Sequence, residues 1–85
     1  MAKTIHRNEY RILIDLLKEH RAKAGVTQTE VSTALKRSQS FISDVERGVR
    51  RLDLVELRDI CAVFGIGLGR FVQEFERALP ARRYK

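Results

Sequence analysis

Gln39, Ser40, Ser43 and Asp44 fall within six consecutive positions, and at helical spacing they share a face free of apolar bulk. Amide and hydroxyl groups at the first turn of a helix suit the edges of nucleic-acid bases. An amide bonds adenine bidentately, and a hydroxyl donates or accepts. The partial positive charge of a helix N-terminus also favours phosphate nearby. Asp44 leaves two readings open: a carboxylate accepting from a cytosine amino group, or a solvated side chain that pairs with an arginine such as Arg47. Cations crowd both ends of the segment. Lys36 and Arg37 precede it, and Arg47, Arg50 and Arg51 follow it. Such side chains clamp phosphates and set register without reading sequence, although a solvated basic loop has the same composition.

The charge of the whole chain points the same way. Its 85 residues hold 17 Lys and Arg against 11 Asp and Glu, a net of +6. The excess sits at the two ends, residues 1–52 and 80–85, around a slightly acidic middle. A polyanion such as nucleic acid is the expected partner. Other chemistries lack their residues. His6 and His20 have no ligand spacing around them, so no metal site is expected. No phosphate-cradling glycine loop, nucleophile elbow or paired-carboxylate pocket is visible, and the chain reads as a non-enzyme with no cofactor and no small-molecule ligand. The single Cys61 excludes an internal disulfide and reads as a small apolar filler. The longest nearly apolar run, Ile60 to Gly69, is about half of what a bilayer requires, so a cytoplasmic protein without a membrane partner is expected.

The elements that must hold the polar face follow from periodicity and punctuation. Five helices and no strands are predicted. The first runs from Asn8 to Ala24, with Leu13, Leu16, Leu17, His20 and Ala24 on one face and Gly25 as a left-handed cap. Thr27 and Glu30 make a capping box that opens a short second helix, whose inner face is Val31, Ala34 and Leu35. After a turn at Lys36 and Arg37, Ser38 is the expected N-cap of a third helix from Gln39 to Arg47. Ile42 and Val45 point inward from it, Phe41 lies on its flank, and Gly48 stops it. Asp53 and Glu56 repeat the capping spacing and open a fourth helix with Leu54, Leu57, Cys61 and Phe64 as its buried stripe, ended by Gly65. The fifth, Leu68 to Leu79 before Pro80, presents Leu68, Phe71, Val72, Phe75 and Leu79.

Two short helices joined by a tight turn are the geometry of a helix-turn-helix. The run Gln28 to Gly48, QTEVSTALKRSQSFISDVERG, resembles the DNA-binding core of the Cro and lambda-repressor-like class, the XRE family. Arg21 through Gln28 is similar to that family's R-x-x-x-G-x-[ST]-Q entry, and Leu57 to Ile66 to its fourth helix. The resemblance implies an all-α, compact five-helix domain over residues 8–79, with the helix-turn-helix at helices 2 and 3. A basic arm (1–7), either reaching along DNA or disordered, and a basic tail (80–85) flank it. It further implies that Gln39, Ser40 and Asp44 read bases, to which helical geometry adds Ser43. Gln28 is placed at a phosphate or at the Gln39 side chain. Arg21 pairs with Glu46 while keeping an edge for phosphate. Three departures stand out: Lys36-Arg37 replaces glycine and an apolar residue in the turn, Ser32 stands where alanine is usual, and Ile66-Gly67-Leu68-Gly69 is unusually glycine-rich.

One reader helix contacts only about four or five base pairs, too few for genomic selectivity. A homodimer on a partly palindromic operator of double-stranded DNA is therefore expected, with Phe71, Val72, Phe75 and Leu79 as interface candidates. The implied function is a small transcriptional regulator encoded by a bacterium or phage. It would be a repressor without a ligand domain, or an autoregulatory controller of a restriction–modification or toxin–antitoxin operon. The rival is a protein-interaction module of the same fold that does not read DNA.

Overall fold

A computed structural model of the chain describes residues 7–80. The basic arm and basic tail therefore lie, apart from Arg7 and Pro80, outside the described residues. Five helices follow in order: α1 (Asn8–Ala24), α2 (Gln28–Ala34), α3 (Ser40–Glu46), α4 (Leu54–Phe64) and α5 (Leu68–Ala78). No strand occurs among the described residues. Both capping boxes form. Thr27 and Asp53 accept from the amides of Glu30 and Glu56, whose carboxylates accept in return from the backbone N–H of each cap residue.

Helices α1 to α4 all end in the same left-handed turn. Gly25, Gly48 and Gly65 take φ of 73°, 80° and 80°, and Lys36 takes 57°. In each case the following amide reaches back to close the helix: Val26 to Arg21, Arg37 to Ser32, Val49 to Asp44 and Ile66 to Cys61. Lys36 is thus the side-chain-bearing member of a set that otherwise uses glycine, and its Cβ crowds the backbone. Its exposed side chain supports no packing that would offset this. Lys36→Gly should stabilise the domain by about 1 kcal/mol in urea unfolding. An unchanged or lower midpoint would mean that the lysine is held there by a favourable contact.

The core gathers Leu17 of α1, Val31 of α2, Phe41, Ile42 and Val45 of α3, Ile60 and Cys61 of α4 and Phe71 of α5. Helix α1 runs behind the rest and packs on α3, α4 and α5, while α2 packs on α3 and α4. Burial pushes the Cys61 thiol up to about 11, which suits an apolar filler and not a nucleophile. His20 ties α1 to α5 through Glu74, with Nε2 and Oε1 2.6 Å apart and its ring tilted against Phe71. That hydrogen bond holds the Glu74 carboxyl below its ordinary range.

Several expected inner faces are corrected. Ala24, Ala34 and Leu54 are exposed, and Ile14, Ser32 and Ile60 are buried in the same helices. Leu54 sits in the first turn of α4, ahead of the stretch that faces the core. Phe41 is not on a flank but only 4% exposed. Phe71 has no accessible surface at all, so it closes the core and is not available to a second subunit. Val72 remains 37% exposed, and Phe75 and Leu79 are half-buried. Helix α5 ends at Ala78, with Leu79 already extended before Pro80.

Candidate nucleic-acid interface

Helix α3 begins one residue later than expected, at Ser40. Gln39 occupies the cap position, and neither it nor Ser38 makes a side-chain capping bond. The missing bond is supplied from elsewhere. The Ile42 amide, at the third position of α3, donates to Oγ of Ser32 at 3.3 Å. Ser32 is 1% exposed, so α2 caps α3 through the core. A serine in place of alanine thereby gains a positional role: it fixes the start of α3 against α2 and removes an orphan buried donor. Ile42 and Val45, both nearly inaccessible, complete the anchoring.

The opposite face points outward. Gln39 and Ser40 are exposed, Ser43 and Asp44 half-buried. Ser43 Oγ donates to the Ser40 carbonyl at 3.3 Å, leaving its oxygen free to accept. Asp44 forms an ion pair with Arg47 one turn on. Pairing with Arg47, one of its two sequence readings, is thus made within the protein itself.

Four of the cations fall into three groups. The first is a network at the foot of α3. Arg21 donates through Nε to Glu46 Oε2 (2.7 Å) and through Nη2 to Oε1 (3.2 Å), while Nη1 reaches the Val26 carbonyl (3.1 Å). Gln28 Nε2 donates to the same Glu46 Oε1 at 2.8 Å. Gln28 was expected at a phosphate or at Gln39; its amide nitrogen instead holds Glu46, and its carbonyl is left over. These three residues join the end of α1, the start of α2 and the end of α3.

Arg37 and Arg50 form the second group. They lie before and after α3, yet both stack on Phe41, with guanidinium carbons 4.1 and 4.8 Å from the ring centroid, and both bond Glu56. Their cover explains why an aromatic ring between two arginines is almost inaccessible. The hydrogen bond from Arg50, and after it the Asp53 backbone amide, draws the Glu56 carboxyl down to about 2. The pairing in turn raises Arg50.

Arg51 makes up the third group, over the Tyr10 ring at 5.8 Å. Tyr10 Oη accepts the Leu52 amide at 3.2 Å, which fastens the loop after α3 to α1. Sequence reading missed Tyr10, Ser32, Phe41 and Glu56 as parts of this region. Glu56 carried a visible signal, as a cap; its reach to both arginines did not.

The arrangement of two short helices within a five-helix domain is found in known proteins as well. A family model described as a helix-turn-helix domain matches residues 13–70. An XRE-family-like protein from Pseudomonas syringae pv. tomato str. DC3000 is 42% identical, with a TM-score of 0.82 over 92% of this chain and 95% of that one. The chain belongs to the XRE family of helix-turn-helix proteins. Its five helices match that architecture, and the family is one of DNA-binding domains and not of enzymes. The clp gene regulator ClgR from C. glutamicum shares the fold at 24% identity, with a TM-score of 0.74 over 92% of this chain and all of that one. A comparison with curated proteins gave no significant match. Among the described residues of this XRE-family chain, no helix is long and apolar enough to cross a membrane.

Proposed function

We propose that the protein is a sequence-specific regulator of transcription that acts as a repressor or as the controller of its own operon. Helix α3 enters the major groove, where Gln39, Ser40 and Ser43 meet base edges. Lys36, Arg37, Arg47, Arg50 and Arg51 flank it and meet phosphates, and Arg21 holds the foot of α3 with part of its guanidinium edge remaining for a phosphate. Asp44 acts first on Arg47, by directing it. The observation that carries this reading is the exposed amide-and-hydroxyl face on a helix pinned from behind by Ile42, Val45 and the Ser32 bond. A module that only bound other proteins would gain nothing from that face among five cations.

A second copy is part of the proposal, because one α3 covers too few base pairs. Val72 and Phe75 of α5, with Leu79 just beyond its end, form the candidate contact, beside a groove lined by Ile12, Leu16 and Ala78 together with Asp15 and Glu19. Two readers about 34 Å apart would select a partly palindromic site. Selection from a random duplex pool tests both parts: symmetric half-sites one DNA turn apart are expected. Gln39→Ala should then cost about 1–3 kcal/mol on the selected site and relax preference at one position of each half-site. A loss of equal size on every duplex would show that Gln39 is not a base reader.

A further inference from the structure

Glu56 stands on α4, outside the reading helix, yet it bonds the arginines on both sides of that helix. Its carboxylate takes Arg50 as a fork, Nη1 to Oε1 at 3.1 Å and Nη2 to Oε2 at 2.9 Å, and takes Arg37 Nη1 on Oε2 at 3.2 Å. The glutamate side chain is 19% exposed and the arginines 38% and 36%, so the carboxylate lies beneath two outward-facing guanidiniums. Oε1 also accepts the Asp53 backbone amide at 3.0 Å, which fixes the carboxylate at the start of α4. Stacking of both arginines on Phe41 fixes them from a second side.

We propose that Glu56 is a positioning residue for DNA recognition, one that holds Arg37 and Arg50 to fixed directions and withdraws them from indiscriminate phosphate contact. The inference rests on the DNA-reading function proposed above. A phosphate is an oxyanion competing with Glu56 for the same donors. An arginine already held by an internal carboxylate reaches only a phosphate presented to its outward N–H groups, whereas a released arginine follows any backbone it meets. Binding without sequence preference is almost wholly this phosphate attraction, so Glu56 limits it at its source. The carboxyl stays ionised throughout the neutral range, which makes the restraint a constant one and not a pH switch.

The discriminating variant is Glu56→Gln, since the glutamine carbonyl serves the capping box as glutamate does, while the charge and the second acceptor oxygen that hold the arginines are lost. Binding to a mixed-sequence duplex is followed by fluorescence anisotropy across a salt series, with helix content checked by circular dichroism. Glu56→Gln should bind about five- to tenfold more tightly near 0.1 M salt for one arginine released, and its log–log salt slope should steepen by about 0.9. An equal or shallower slope at native helix content would overturn the proposal. Should that variant not fold, Arg37→Ala in the native background decides. A slope change below about 0.45 supports restraint, and a full change of about 0.9 shows that Arg37 already contacts phosphate freely. If the unaltered protein binds no duplex even near 0.05 M salt, the DNA-reading function itself fails and this inference with it.

Discussion

Truncating Phe71 to alanine is expected to destabilise the domain by about 3–5 kcal/mol, the range for a large ring removed from a packed core. Its ring has no accessible surface and closes the cluster formed by Leu17, Ile42, Val45 and Ile60, while His20 lies against its side. A chain of this length commands a total of only about 4–13 kcal/mol, so the loss is a large share of it. Thermal unfolding by circular dichroism should shift down by about 15 °C or more. The adjacent Val72 provides the contrast. It is 37% exposed, and Val72→Ala should leave the unfolding of the single subunit within about 0.5 kcal/mol. A cost below about 1 kcal/mol for Phe71→Ala would mean that α5 is a loosely attached helix, and the assignment of its faces would have to be reversed.

That contrast on one helix shows what local pattern can and cannot resolve. Positions of left-handed caps and capping boxes depend on residues within a turn of each other, and Gly25, Thr27, Gly48, Asp53 and Gly65 were all legible for that reason. The end of α1 and both bounds of α4 followed from them. Even the departure at Lys36 could be anticipated, because the turn requires a positive φ whatever residue occupies it. Faces are harder. A helix of seven residues such as α2 makes only two turns, and Ala34 and Ser32 satisfy the periodicity almost equally well. Which of them is buried depends on α3, whose Ile42 amide needs the Ser32 oxygen.

The candidate site divides along the same line. The Gln39, Ser40 and Ser43 face could be read from the chain because it is defined by what its neighbours Ile42 and Val45 must do. The state of the arginines could not. Arg37 and Arg50 look alike to Arg51 in composition, but Glu56 lies six residues from one and nineteen from the other, and only folding brings it to both. Phe41, expected on the flank of α3, was misplaced for the same cause: the guanidiniums that cover its ring come from outside that helix. Charge count therefore gave the partner class and overstated the number of cations at liberty to meet it.

Arg21→Ala should cost about 3 kcal/mol, because it leaves the Glu46 carboxylate without its cation. Glu46 is 8% exposed, and its remaining partner among these bonds would be the Gln28 amide. The same substitution also frees the Val26 carbonyl at the end of α1. An exposed pair would cost at most about 1 kcal/mol, so chemical denaturation separates the two cases. Arg21→Lys should rescue little, since an ammonium cannot supply the two-pronged bond together with the carbonyl contact. Replacing Arg21 and Glu46 together by leucine should cost less than Arg21→Ala alone, because no charge is then stranded. Stability and recognition are expected to part company at that point. The double variant keeps a folded core but loses the link that fixes the end of α3 to α1 and α2, so its preference for a selected duplex over a mixed one should fall although its helix content does not. Retained preference in that variant would show that Ser32, Ile42 and Val45 hold the reading face by themselves, and that the ion pair serves the fold only.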